Sequence, residues 1–260
     1  MLDYLAAQWQ SFLDYLAAQW QSFLDYLAAQ GRNFADSFYR NFIEDNRWTY
    51  LTSGLLNTLL ITLGALVVGV ALGFALAMIR TTHDRTGRLK VLNWIAKLYL
   101  TVVRGTPVVV QLILIYFGIF AAVNINATLV AVIAFGLNSA AYVAEIFRSG
   151  IMSIDPGQME AGRSLGLNYT QTTWKIIMPQ AIKNVLPALG NEMITLLKET
   201  SVAGYVGIRD LTKGGDLIRS RTFAPFMPML AVAAIYLVLV LVLQYGVGKL
   251  ERRLRQSDRD

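Results

Sequence analysis

The chain has 260 residues, of which 55% are hydrophobic and 15% charged, with a mean hydropathy of +0.46 and a formal net charge of +6. A soluble domain of this size carries more charge, so the composition points to lipid; the lysines and arginines cluster between apolar segments and form no aromatic-interleaved stripe, which argues against nucleic acid. Cysteine is absent and the one histidine, His83, sits in a basic loop, which removes disulfides, thiolate metal sites and cysteine nucleophiles.

Residues 1–50 form an N-terminal segment that opens on a repeat of period eleven: LDYLAAQWQSF occurs at 2–12, again at 13–23, and is cut off at Gln30. Leu2, Leu5, Trp9, Phe12, Leu16, Trp20, Phe23 and Leu27 follow at steps of three or four, one slowly drifting helical stripe, with Asp3, Asp14 and Asp25 off it. The segment lacks the basic leader and continuous apolar core of a signal peptide. It suits an amphipathic helix lying in the membrane interface or against a partner; an in-frame duplication explains it without any function.

Residues 51–250 form the membrane domain. Positions 54–79 carry no charge and, as a helix, span about 39 Å, enough to cross a hydrocarbon core with tilt. The second apolar block, 92–123, is entered past Lys97 and Arg104, and Gly105 with Pro107 is expected to bend it. Spans follow at 128–147, at 181–202, which is the most polar, and at 226–247. The expected fold is thus all-α and polytopic, with five transmembrane helices. Arg and Lys crowd the 80–97 loop and the basic tail 251–260, whereas the N-terminal segment is acidic, so the positive-inside rule puts the N-terminus outside and the C-terminus in the cytoplasm. The connection between spans four and five, with Arg209, Lys213, Arg219 and Arg221 against Asp210 and Asp216, is ambiguous by that rule.

Between spans three and four lies a polar hairpin, 155–180. Asp155 is an N-cap with Pro156 at the first helical position, Gly166 ends that helix in a left-handed turn, and Asn168 caps a second helix through Ile177, before Pro179 interrupts the run. Gln158, Ala161, Gly162 and Leu165 share a face, where small Ala161 and Gly162 admit another surface; Glu160, Arg163 and Ser164 lie opposite. A capped helix of this kind suits the transmission of force to the spans at its ends, although an ordinary capped loop reads the same way on physics alone.

The spacing of Glu160, Ala161, Gly166, Ile176 and Pro179 resembles the EAA loop of permease subunits of binding-protein-dependent ABC importers. RGTP at 104–107, AAYVAEIFRSGI at 140–151 and LGNEMITLLKETS at 189–201 are similar to the polar amino acid branch of that family, and the likeness runs from about Asn41 onward. Gly162 stands where the family usually has a second Ala, and Met178 where it usually has Leu. The glycine costs about 1 kcal/mol of helix propensity. The resemblance implies the permease fold of such importers and a pathway built from two permease copies, as a homodimer or heterodimer. It also implies cytoplasmic ABC ATPase subunits gripping Glu160, Ala161, Gly162, Arg163 and Gly166, and an external solute-binding protein that delivers a polar amino acid. ATP and Mg are then bound by the partner ATPase, and this chain, with no P-loop, H-E-x-x-H or G-x-S-x-G motif, is no enzyme and holds no cofactor.

Charges at bilayer depth are costly enough to read as functional. Glu192, Thr195 and Glu199 recur at steps of three and four on span four, with Asn191 and Lys198 flanking, and this side is the expected substrate pathway. Glu145 is a further pathway candidate, although Arg148 at i+3 offers it an ion pair instead. Arg104 beside Pro107 reads as a gating or structural charge snorkelling to the interface. For Asn191, Glu192 and Lys198, hydrogen bonding between helices or subunits is the competing explanation. The rival function is an ATP-independent, ion-coupled carrier or channel, for which the hairpin would have no partner; a membrane-embedded hydrolase lacks a triad or metal cluster.

Overall fold

In this computed structural model, which describes residues 2–256, the repeat lies within one 37-residue helix, α1 (Leu2–Phe38). Trp9, Trp20, Phe23 and Phe34 on it are exposed; the side chains of Leu2, Leu5, Phe12, Leu27, Asp3 and Asp14 lie outside the described residues. A π turn at Tyr39–Ile43 and a short 3-10 turn at Glu44–Asn46 follow. Asp45 and Asn46 there take positive φ, 54° and 53°, a conformation short polar side chains tolerate. The direction of the chain is reset at that point, close to where the family resemblance begins.

α2 (Trp48–Thr86) then runs for 39 residues to Gly87. The basic stretch expected as a loop from Arg80 is therefore helical as far as Thr86, and its cations sit at the C-terminal end of the helix dipole, where they are favourable. The bend expected in the second block is a complete break: α3 (Lys90–Arg104) and α4 (Val108–Leu114, prolonged by a π turn at Ile115–Ile119) meet at 108°. Pro107 is extended (φ −65°, ψ 137°), and the Gln111 side-chain amide donates to the carbonyls of Val103 (2.8 Å) and Thr106 (3.1 Å), satisfying groups that the break would leave unpaired.

α5 (Ala127–Met152) runs parallel to α2, since Gly64, Gly69 and Gly73 of α2 face Val132, Ser139 and Val143 of α5 in the same order. A Cβ at Gly73 would sit 2.7 Å from Val143; small residues let helices approach this closely in lipid, where packing replaces the hydrophobic drive. After the hairpin come α8 (Met178–Glu199), a 3-10 segment at Thr200–Val206, α9 (Leu211–Thr222) and α10 (Met227–Gln256), with the short helices α6 (Pro156–Ser164) and α7 (Tyr169–Thr172) forming the hairpin itself. The central core is built from Ile61, Leu112, Phe135, Leu196 and Val206, drawn from α2, α4, α5, α8 and the 3-10 segment.

Trp48–Thr86, Ala127–Met152 and Met227–Leu254 are long and apolar enough to cross a membrane, and the bent pair α3–α4 makes a fourth if its two arms count as one span. The remaining expected span, α8, has 22 residues, about 33 Å of helix, but its polar side chains keep it below that apolarity.

The bundle has two distinct ends. At one, the hairpin packs beside the end of α2: Arg85, Arg88, Arg163 and Tyr169 line a common cleft. At the other, α9 lies on the start of α2, with the Leu211 N–H bonded to Thr58 Oγ1 (3.0 Å) and the Arg209 carbonyl accepting from Asn57 (3.0 Å). The ambiguous connection between spans four and five thus lies at the end opposite the hairpin.

Candidate functional site

The hairpin is capped as its residues dictate. Asp155 accepts from the Gly157 N–H at 2.7 Å with Pro156 at the first position. Gly166 has φ 83°, and the Leu167 and Gly166 N–H groups return to the carbonyls of Gly162 (3.1 Å) and Arg163 (3.0 Å), closing the helix as a left-handed C-terminal glycine does. Asn168 and Gln171 form a reciprocal capping box at 2.9 Å each way. Beneath, Met159, Ile177 and Met178 are buried against Ile151, Ile154 and Ala181, and each large side chain so buried contributes about 1.5–3 kcal/mol.

Two expectations for the hairpin are corrected. Gly162 is buried and faces inward, where a Cβ would sit 2.5 Å from Thr172 Cγ2, so the close approach it permits lies within the hairpin. Glu160, Ala161, Arg163 and Gly166 are exposed, as is Leu165 at 80%, which is the outward surface. Pro179 does not interrupt the second helix. It occupies the first turn of α8, where a missing N–H is tolerated, and a wider π turn at Thr173–Ile177, closed by the Met178 N–H on the Thr173 carbonyl, carries the helix through.

Near the hairpin end a charge cluster ties three elements. Glu145 of α5 receives Arg80 of α2 (2.5 Å), Arg148 (3.2 Å) and, more distantly, Arg104 at the end of α3 (3.8 Å); Arg104 also lies 5.8 Å above the Tyr142 ring. Glu145 is thus engaged by arginines rather than grouped with the polar side chains of α8, and Arg104 is anchored to it. Pro107 stands in the break that lets Arg104 reach Glu145.

On α8, Asn191, Thr195 and Lys198 are exposed and share one face, while Glu192 and Glu199 are half-buried beside it; the line is centred on Asn191 and Thr195 and not, as the spacing suggested, on Glu192. Buried Ser139 of α5 donates to Glu192 at 2.7 Å. Next to it Asn138 donates to Gln111 Oε1 at 3.0 Å, so α4, α5 and α8 are laced by a polar layer inside the apolar bundle. Sequence reading missed Ser139, Asn138, Gln111 and Arg80; the polar pair Asn138–Ser139 within an otherwise apolar stretch was the available signal.

A polytopic helical bundle with a capped hairpin at one end and a polar line on a spanning helix defines a multi-pass membrane transport subunit. Residues 69–256 match the family described as binding-protein-dependent transport system inner membrane component, and the chain belongs to that family. It is 38% identical over 211 residues to the arginine transport system permease protein ArtQ of Bacillus subtilis (strain 168), covering 80% of this chain and 94% of that protein. It is also 38% identical over 214 residues to the probable glutamine ABC transporter permease protein GlnM of the same organism, covering 82% and 96%. Among solved structures, an amino acid ABC transporter with histidines superposes with a TM-score of 0.74 at 42% identity, covering 82% of this chain and 98% of that one. The inward-facing MetNI methionine transporter, at 21% identity and a TM-score of 0.68 over 79% and 96%, shares the fold. The chain is accordingly the permease component of an ABC importer, embedded in the inner membrane, and its family implies ATPase and binding-protein partners.

Proposed function

We propose that this permease forms the pathway for a polar amino acid, paired with a second permease copy and driven by ATPase subunits that bind ATP and Mg and grip the hairpin around Glu160. The observation that carries this reading is the exposed line Asn191, Thr195, Lys198 on α8, flanked by Glu192 under the Ser139 hydroxyl. Charges of both signs with hydrogen-bonding groups, on a spanning helix, suit a zwitterion and are too costly to retain idly in lipid. The line opens outward from the single chain, so a second copy facing it would enclose a path. Relatives named for arginine and glutamine transport support the solute class. The hairpin and C-terminus are cytoplasmic in this reading, and the N-terminus and α9 external.

Reconstitution with the ATPase subunits and binding protein tests it. Amino acid should stimulate ATP turnover and uptake together, and Glu192→Gln with Lys198→Met should reduce uptake by about tenfold or more, the equivalent of one lost charged contact, without removing basal ATP hydrolysis. Unchanged uptake kinetics in both variants would discard the pocket, and uptake without ATP would favour an ion-coupled carrier.

A further inference from the structure

We infer that the cleft between the end of α2 and the hairpin binds the phosphoryl headgroup of an anionic phospholipid, with an acyl chain in the apolar groove beside it. The cleft encloses about 850 Å³ and is lined by Arg85, Arg88 and Arg163 with no carboxylate among its lining residues. No ion pair joins any of the three to a described residue; nearby Asp84 is taken by Arg148 (3.8 Å) and His83 (3.3 Å). Thr173 also lines the cleft: it is 3% exposed, and its hydroxyl has no hydrogen-bond partner. A buried hydroxyl is normally paired, so this one is left with unused hydrogen-bonding capacity at the cleft wall.

Trp174 forms part of this cleft and of an adjoining groove of about 410 Å³ whose lining, including Val70, Phe74, Phe147, Ile182 and Leu186, is apolar. A cationic cleft that continues into a hydrocarbon-lined groove past an indole has the amphipathic layout of a lipid. Guanidinium groups grip phosphate oxygens by paired hydrogen bonds, basic pockets between spanning helices hold anionic headgroups, and Trp favours the boundary between headgroup and chain. Since Arg163, Tyr169 and Thr173 belong to the hairpin and Arg85 to α2, a seated headgroup would tie the two together.

This inference rests on the membrane placement of the hairpin end and not on which solute is carried, so its failure would leave the pathway reading untouched. The full chain with its ATPase partner is purified from phosphatidylcholine vesicles with and without phosphatidylglycerol, and retained lipid is measured by mass spectrometry alongside thermal unfolding. Phosphatidylglycerol should co-purify and raise the unfolding temperature. Arg85→Gln with Arg88→Gln should weaken retention by about 30-fold, taking about fivefold per arginine at an anionic lipid. Thr173→Val, which keeps the shape, should weaken it less, and Arg252→Gln with Arg253→Gln on the tail should leave it unchanged. Equal retention by the Arg85/Arg88 variant and the parent would overturn the assignment. Stabilisation by inorganic phosphate alone, with phosphatidylglycerol adding nothing, would overturn the lipid as the source.

Discussion

Gly162 illustrates how a single atom decides the shape of the hairpin. Alanine there gains about 1 kcal/mol of helix propensity, yet its Cβ would lie 2.5 Å from Thr172 Cγ2 and 2.9 Å from Thr172 Oγ1, and overpacking costs about 1–3 kcal/mol. Thr172 is fully buried and its hydroxyl bonds the Asn168 carbonyl at 3.0 Å, so it has little room to yield. Gly162→Ala should therefore lower the unfolding temperature of the purified protein, and adding Thr172→Ser, which deletes the nearer obstructing atom but leaves the hydroxyl, should recover part of the loss. If the single variant is as stable as the parent, the inward packing of Gly162 is wrong. Glu192 is a residue of the opposite kind: its carboxylate is defined less by its own helix than by Ser139, fifty-three positions earlier.

Among the elements, α9 combines a buried face with a half-buried charge clasp. Asp210 caps it through the Thr212 and Lys213 N–H groups, and Asp216 receives Lys213 Nζ (2.9 Å) and Arg219 Nη2 (2.5 Å). The Lys213 hydrogen bond, followed by that of Arg219, holds the Asp216 carboxyl below the usual carboxylate range. A carboxylate whose affinity for protons falls on folding stabilises the fold above its unfolded value of about 3.9 and loses that contribution as pH drops through the lower folded value. Asp216→Asn should thus remove part of the acid sensitivity of unfolding below about pH 4 and leave its slope at neutral pH unchanged; identical acid profiles would contradict the clasp. This helix was not legible in the sequence, because two of its buried positions, Gly214 and Gly215, put backbone rather than apolar side chains against its neighbours and leave no hydrophobic period. The hairpin caps were legible, since Asp155, Gly166 and Asn168 act within three residues of themselves. The break at Gly105 to Pro107 was foreseen only as a bend, as the side chain that sustains it, Gln111, acts across the gap. The pairing of Arg80 with Glu145 joins two helices sixty-five positions apart, which no local pattern encodes.

For the molecule as a whole, the two ends make opposite demands on the membrane. With no native cysteine, single cysteines at exposed Ser164 in the hairpin and Ser220 in α9 can be probed in intact cells with a membrane-impermeant maleimide. Ser220→Cys should react and Ser164→Cys only after the membrane is opened; the reverse pattern would overturn the proposed orientation and the ATPase grip with it. The hairpin is also joined unequally to its two neighbours. Towards α8 the backbone stays in right-handed helical dihedrals through Ile177 and Met178, whereas towards α5 a non-helical link at residues 153–155 intervenes. The second limb of the hairpin, from Tyr169 on, is therefore spliced into the rod that carries Asn191 and Lys198, with Pro187 as its one soft joint, whereas the first limb, which bears Glu160, meets both α5 and the second limb through non-helical couplings.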